Sequence, residues 1–182
     1  MKRTQLLFFL LISFGTVVAQ RVYTKNGAIS FFSKASIENI SADNNQVMSV
    51  LVIPTGDLQF SLLMTAFHFR KSLMEEHFNE NYMESNKYPK AIFKGKINDL
   101  SKVNFTTDGS YSVQVSGDMT IHGVTNKITV PGTINVKGGT VSASSKFQVK
   151  VADYKISIPK IMKDNIAEVV DVTVSCIYDL KL

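Results

Sequence analysis

Strict alternation of apolar and polar positions runs through most of the chain. Leu58, Phe60, Leu62 and Met64 alternate with Asp57, Gln59 and Ser61. Tyr111, Val113, Val115, Gly117, Met119 and Ile121 share one face of a longer run. Ile128, Val130, Gly132, Ile134 and Val136 repeat the pattern, followed by Val141, Ala143, Ser145, Phe147, Val149 and Val151. The last row is Val170, Val172, Val174, Cys176, Tyr178 and Leu180. A period of two with one apolar face predicts strands that bury one side only. The runs extend over roughly 8 to 12 residues, against a usual mode near 5 or 6. Long antiparallel neighbours with a single inner face suit a closed barrel of about eight strands better than a sandwich. Upstream, 22–34 reads as a strand bent near Gly27. Residues 37–40 read as a short extended piece, Asp43-Asn44-Asn45 as a turn, and 46–53 as another strand. Asp108-Gly109 and Lys137-Gly138-Gly139-Thr140 mark further turns. Residues 153–165 read as irregular.

Beyond the N-terminus, one stretch, 72–93, carries a helical period. Leu73, Met74, His77, Phe78 and Tyr82 fall on one half of the cylinder, and Glu75, Glu76, Asn79 and Glu80 on the other. Ser72 and Glu75 have capping-box spacing. Met83 breaks the pattern, and Asn86 and Pro89 stop the helix. A strand follows, with Ala91, Phe93, Gly95 and Ile97 on one face. A single helix with an apolar face must pack on, or plug, the barrel. The fold expected is therefore mainly β: an antiparallel barrel of about eight strands with one helix packed at it.

Charge and composition change this picture only at the N-terminus. Lys2 and Arg3 precede an apolar run, 6–14, and then Val17-Val18-Ala19, the pattern of a secretory signal cleaved after Ala19. The run is shorter than the roughly 20 residues a membrane helix needs. The expected division is a signal peptide at 1–19 and one barrel domain at 20–182, periplasmic or secreted, with no transmembrane span after cleavage. The remaining chain holds 18 basic against 15 acidic residues. That surplus is too small to argue for nucleic acid, and no basic–aromatic repeat does so. Cys176 is the only cysteine, so no intrachain disulfide forms.

Candidate chemistry is sparse. His68, His77 and His122 lack metal-site spacing, and no metal is expected. There is no Gly-x-Ser-x-Gly elbow and no phosphate-cradling loop. Cys176 sits on an apolar row, as a small buried hydrophobe would. No catalytic residue and no cofactor are expected. What stands out is apolar side chains facing inward near the helix: Phe60, Leu62, Met64, Phe67, Phe69, Met74, Phe78 and Phe93, with Met119 and Phe147 further along. A barrel of this size either fills its interior or holds one ligand. The small inward residues Gly95, Gly117, Gly132, Ala143 and Ser145 favour space. Such a lining grips hydrocarbon but has few donors to orient a polar molecule. Lys87, Lys90, Lys94, Lys96, Lys155, Lys160 and Lys163 cluster near the helix exit and the irregular segment. Among them, Lys87, Lys90 and Lys160 are the candidates to meet a headgroup.

Two segments resemble the YceI-like family. Leu73…Phe78…Tyr88-Pro89…Phe93 resembles its helix–Tyr-Pro–strand segment. Gly117-Asp118-Met119-Thr120-Ile121-His122-Gly123-Val124-Thr125 resembles its Gly-Asp-Leu-Thr-Ile-(Arg or His)-Gly-Val-Thr hairpin. The opening Gly27-x-Ile29-x-Phe31 also fits. The helix departs from the family in opening on Arg70-Lys71-Ser72-Leu73, and in being richer in Met and Asn. The resemblance implies a secreted or periplasmic lipocalin-like barrel that binds a polyisoprenoid or related amphiphile in its lumen. The partner expected is then a long-chain lipid such as an isoprenoid quinone or polyprenyl phosphate. Two other classes stay open: a structural or stress-related barrel with a filled core, and an enzyme using His77 or His122 on a bound amphiphile.

Overall fold

One apolar face per strand leads to a sheet that closes on itself. The computed structural model describes residues 20–181, so the expected signal segment, 1–19, lies outside the described residues. The barrel strands are β1 (Arg21–Lys34), β2 (Asn39–Val52), β3 (Asp57–Leu63), β5 (Lys90–Ile97), β6 (Gly109–Ile121), β7 (Val124–Lys137), β8 (Thr140–Lys150) and β9 (Val169–Tyr178). They pair antiparallel in the order β1-β2-β3-β5-β6-β7-β8-β9, and β9 returns to β1. Two short pieces, β4 (His68–Phe69) and β10 (Leu180–Lys181), add to β2 and β1. The mainly β barrel expected from the alternation is the fold observed.

Several local expectations are corrected. Asp43-Asn44-Asn45 is not a turn, because β2 runs straight through it. Asn44 is fully buried. Its Nδ2 donates to the Leu63 carbonyl at 2.9 Å, and its Oδ1 accepts from the Gln46 amide at 2.9 Å. An internal bulge, satisfied by one side chain, replaces the turn. Asp108-Gly109 is not a hairpin either. Asp108 ends the loop between β5 and β6, and its carboxylate accepts from the Gly138 amide at 2.9 Å.

The helix differs most. α1 (Ser72–His77) starts one residue after its extended cap, Lys71, with no side-chain capping bond. Glu75 does reach back, but to the Phe69 amide, at 3.2 Å. The next turn, Phe78–Tyr82, widens to π geometry, and the Met83 amide donates to the Phe78 carbonyl at 2.8 Å. One extra residue per turn brings Met83 round to the side of Phe78. Met83 therefore fits no α-helical stripe, yet it is only 4% exposed.

The two ends of the barrel are unlike. At one end Val22, Leu51, Leu58, Ile97, Val136, Val141 and Tyr178 pack into a continuous core. The loop before β6 adds Val103, with Leu100 and Phe105 against it. Tyr178 shares a hydrogen bond with Ser49 at 2.9 Å inside this core. At the other end stand α1, the π turn and the segment 151–168. That segment is pinned down where the Ile37 amide donates to the Asp164 carbonyl at 3.0 Å and the Ala167 amide to Ser33 Oγ at 2.9 Å. No described helix is long and apolar enough to cross a membrane.

Candidate functional site: an apolar cavity under the helix

The barrel is filled at its closed end and hollow toward the other. The cavity measures about 500 Å³. Its floor is made by Leu58, Val113, Val115, Ile134, Ala143 and Val174, which also belong to the packed core. Strand alternation accounts for this: the same inward row fills the barrel where strands and loop converge and lines a void where they do not.

All ten apolar residues singled out in the sequence border the cavity. Phe60 and Leu62 come from β3, Phe93 from β5, Met119 from β6 and Phe147 from β8. Met64, Phe67 and Phe69 come from the passage between β3 and the helix, and Met74 and Phe78 from the helix itself. Near the helix four rings interlock. Phe78 stacks on Phe31 at 5.7 Å between centroids and meets Phe67 and Phe69 at 5.6 and 5.0 Å. Phe31 in turn meets Phe67 edge-on at 5.5 Å. Such edge and offset contacts add to simple burial and hold the π turn over the opening.

Of the small inward residues, Gly132, Ala143 and Ser145 line the cavity, whereas Gly95 and Gly117 make no empty space. Gly95 and Gly117 face each other across β5 and β6. A Cβ on Gly95 would lie 2.4 Å from Phe93 Cζ, and one on Gly117 2.8 Å from the same atom. Their missing side chains are where the Phe93 ring lies, so they shape the wall instead of enlarging the void.

The headgroup candidates are not at the cavity. Lys87, Lys90 and Lys160 are all exposed and do not line it. Lys87 sits over the Tyr88 ring, with Nζ 4.9 Å from the centroid. The lysine bordering the cavity is Lys71, whose Nζ donates to Glu38 Oε1 at 2.6 Å. Glu38, His77 and the 59%-exposed Leu73 border it too, so the cavity reaches solvent beside the helix. Sequence reasoning also missed Ile156, Ile158, Met162 and Ile166, which line it from the segment after β8. The Ile156-x-Ile158 alternation was the available signal.

His122 plays a structural part. Its Nε2 lies 2.8 Å from Glu84 Oε2, its Nδ1 3.1 Å from the Tyr154 carbonyl, and its ring meets Tyr88 edge-on at 4.5 Å. His68 is exposed at 3.7 Å from Glu75. Among the described residues no three His, Cys, Asp or Glu side chains gather as metal ligands. Burial pushes the Cys176 thiol up to about 11, so at neutral pH it carries no thiolate.

A closed antiparallel β-barrel, plugged at one end and holding an apolar cavity beneath a helix at the other, is a lipocalin-like architecture. The YceI-like domain matches residues 12–177, and the chain belongs to that family. No curated protein sequence matches. Among solved structures, the fold is similar to a polyisoprenoid binding domain from Saccharophagus degradans, with TM-score 0.76 at 14% identity, over 88% of this chain and 97% of that one. It is also similar to Burkholderia cenocepacia BcnA, with TM-score 0.65 at 16% identity, over 83% and 95% of the two chains. The Campylobacter jejuni YCEI protein gives TM-score 0.61 at 16% identity, over 79% and 86%.

Proposed function

We propose that this protein is a non-enzymatic binding or carrier protein for an isoprenoid or similar amphiphilic lipid, acting outside the cytoplasm. The observation that carries the reading is the cavity of about 500 Å³ with its almost wholly apolar lining. Family membership and the similarity to a polyisoprenoid binding domain support it. At roughly 30 Å³ per water-sized group, this space takes on the order of fifteen carbon atoms. Each buried CH₂ contributes about 0.8 kcal/mol, so a filled cavity gives ample gross affinity before ordering costs. A polar head stays outside, because a buried unpaired phosphate is prohibitively costly. Lys71, Glu38 and His77 are polar groups at the opening beside the helix. An isoprenoid quinone and a polyprenyl phosphate both have this chemistry. The basic start and apolar run of 1–14 support export.

Organic extraction of the protein purified from its native host, followed by lipid mass spectrometry, tests this directly. A stoichiometric long-chain lipid is the expected result. An empty protein that also fails to bind such lipids when they are supplied would overturn the reading.

A further inference from the structure

The barrel wall has a gap. β7 and β8 pair only from Lys137↔Thr140 to Thr133↔Ser144. Beyond that point each remains paired on its far side, β7 with β6 as far as Val124 and β8 with β9 as far as Lys150. The two strands therefore form no ladder pair along 127–132 and 145–150 while both stay in the barrel.

The cause lies in the chain. Ile121 and Val124 close the two-residue turn His122-Gly123, with φ of 50° and 72°. That turn sets the phase of β7: even-numbered residues exchange hydrogen bonds with β6, and odd-numbered ones turn theirs toward β8. Lys137, Asn135 and Thr133 pair with β8 in this phase. Pro131 is next, and it has no N–H to continue the ladder. Its carbonyl accepts instead from Ser145 Oγ at 2.6 Å. At the far end of the gap Asn126 Nδ2 donates to the Asp153 carbonyl at 2.8 Å, which makes the opening a bounded window.

The window communicates with the cavity. Ile128 and Val130 on one edge and Phe147 on the other line the cavity and are only half-buried. Thr133 and Ser144, the last pair of the ladder, border the cavity although their side chains alternate to the outer face. We propose that this window is a lateral portal through which the hydrocarbon chain of a lipid slides into the barrel; the proposal rests on the lipid-binding reading above. A chain longer than the cavity cannot be housed whole, and a side opening lets it load without threading end-on past the four interlocked rings at the helix. The window's inner edges are apolar. Lys146 and Lys150 stand exposed on its outer face, in no ion pair among the described residues, where an anionic head would remain. An extended peptide adding to the strand edges is the rival occupant. The continuity of the window with an apolar cavity favours the lipid.

The test is a bridge across the window. Thr129 and Gln148 oppose each other if the register is continued, and both are exposed. Thr129→Cys with Gln148→Cys is joined by a short cleavable bis-maleimide, while buried Cys176 is left untouched. Exchange of a dansyl-labelled geranylgeranyl probe is followed by stopped flow before bridging, after bridging and after cleavage. The expected result is exchange slowed about tenfold or more by the bridge and restored by its cleavage. Unchanged exchange in the bridged protein overturns the portal while leaving lipid binding intact. No probe binding even before bridging overturns the lipid reading and the portal with it. Independently, Pro131→Val supplies the missing N–H. New amide protection at 131 and slower exchange are expected, and new protection with unaltered exchange overturns the portal. Strand-like protection of the window edges by an added peptide, with unaltered lipid exchange, would assign it to the rival.

Discussion

Gly123 lies against Tyr88 so closely that a Cβ on it would stand 2.5 Å from the ring's Cε1. These residues come from the two segments that carry the family resemblance, and neither lines the cavity. With His122 and Glu84 they form a latch that fastens the helix exit to the β6–β7 turn. Glu84 and His122 both adopt positive φ, 43° and 50°, to make it. Tyr88, His122 and Gly123 of the recognisable motifs thus hold the helix in place over the cavity, while Phe78, Phe93, Met119 and Ile121 of the same motifs help to line it.

Gly123→Ala should be destabilising. Its φ of 72° is unfavourable for any residue with a Cβ, by about 1–2 kcal/mol, before the clash with Tyr88 is counted. Urea denaturation should show at least that loss. His122→Ala should cost about 1–3 kcal/mol and raise hydrogen exchange across 78–88, because a charge-assisted bond and an aromatic contact go together. Unchanged exchange there would remove the latch.

Phe78→Ala should cost about 2 kcal/mol, below the 3–5 typical of a fully buried Phe. The ring is half-buried, and part of its surroundings is cavity. The same variant should bind a lipid probe more weakly, since it removes the keystone of the four-ring cluster. Chemical denaturation and probe titration read the two effects separately.

Val172→Phe should separate binding from folding. Val172 points into the cavity from β9, so a larger ring there takes ligand space. Lipid affinity should fall about tenfold or more, with a stability change within about 1 kcal/mol because the void accommodates the ring. A well-folded variant that binds as tightly as before would place the ligand elsewhere.

Stability should fall at alkaline pH. Burial raises the Cys176 thiol from 9.0 to about 11, and burial also raises the Tyr178 hydroxyl, although its bond to Ser49 opposes this. Both groups stay protonated in the folded chain at pH values where the unfolded chain ionises. The unfolded state therefore loses protons first, and stability declines from about pH 9 upward. Cys176 alone should account for about 2–3 kcal/mol by pH 11. Denaturation midpoints between about pH 8 and 11 measure the slope, and Cys176→Ala should reduce it without abolishing it.

The sequence by itself determined the barrel, because long strands with a period of two and a single apolar face bury that face better by closing on themselves than by stacking as a sandwich. It also picked out the inward residues of the cavity, Phe60 and Phe147 among them, since alternation fixes which side of a strand each residue takes. It misread Asn44 as a turn, because a buried side chain that satisfies two backbone groups looks locally like turn chemistry. It left Met83 out of the helix face, because one added residue in a π turn shifts every later position. Pro131 could have been read as a break in a ladder, but only the phase set by the His122-Gly123 turn says which neighbour loses its bond. Whether inward side chains meet or leave a void was decided by tertiary structure alone. That depends on how far apart opposite walls stand and on which loop folds over which end, distances that no pattern along a single strand contains.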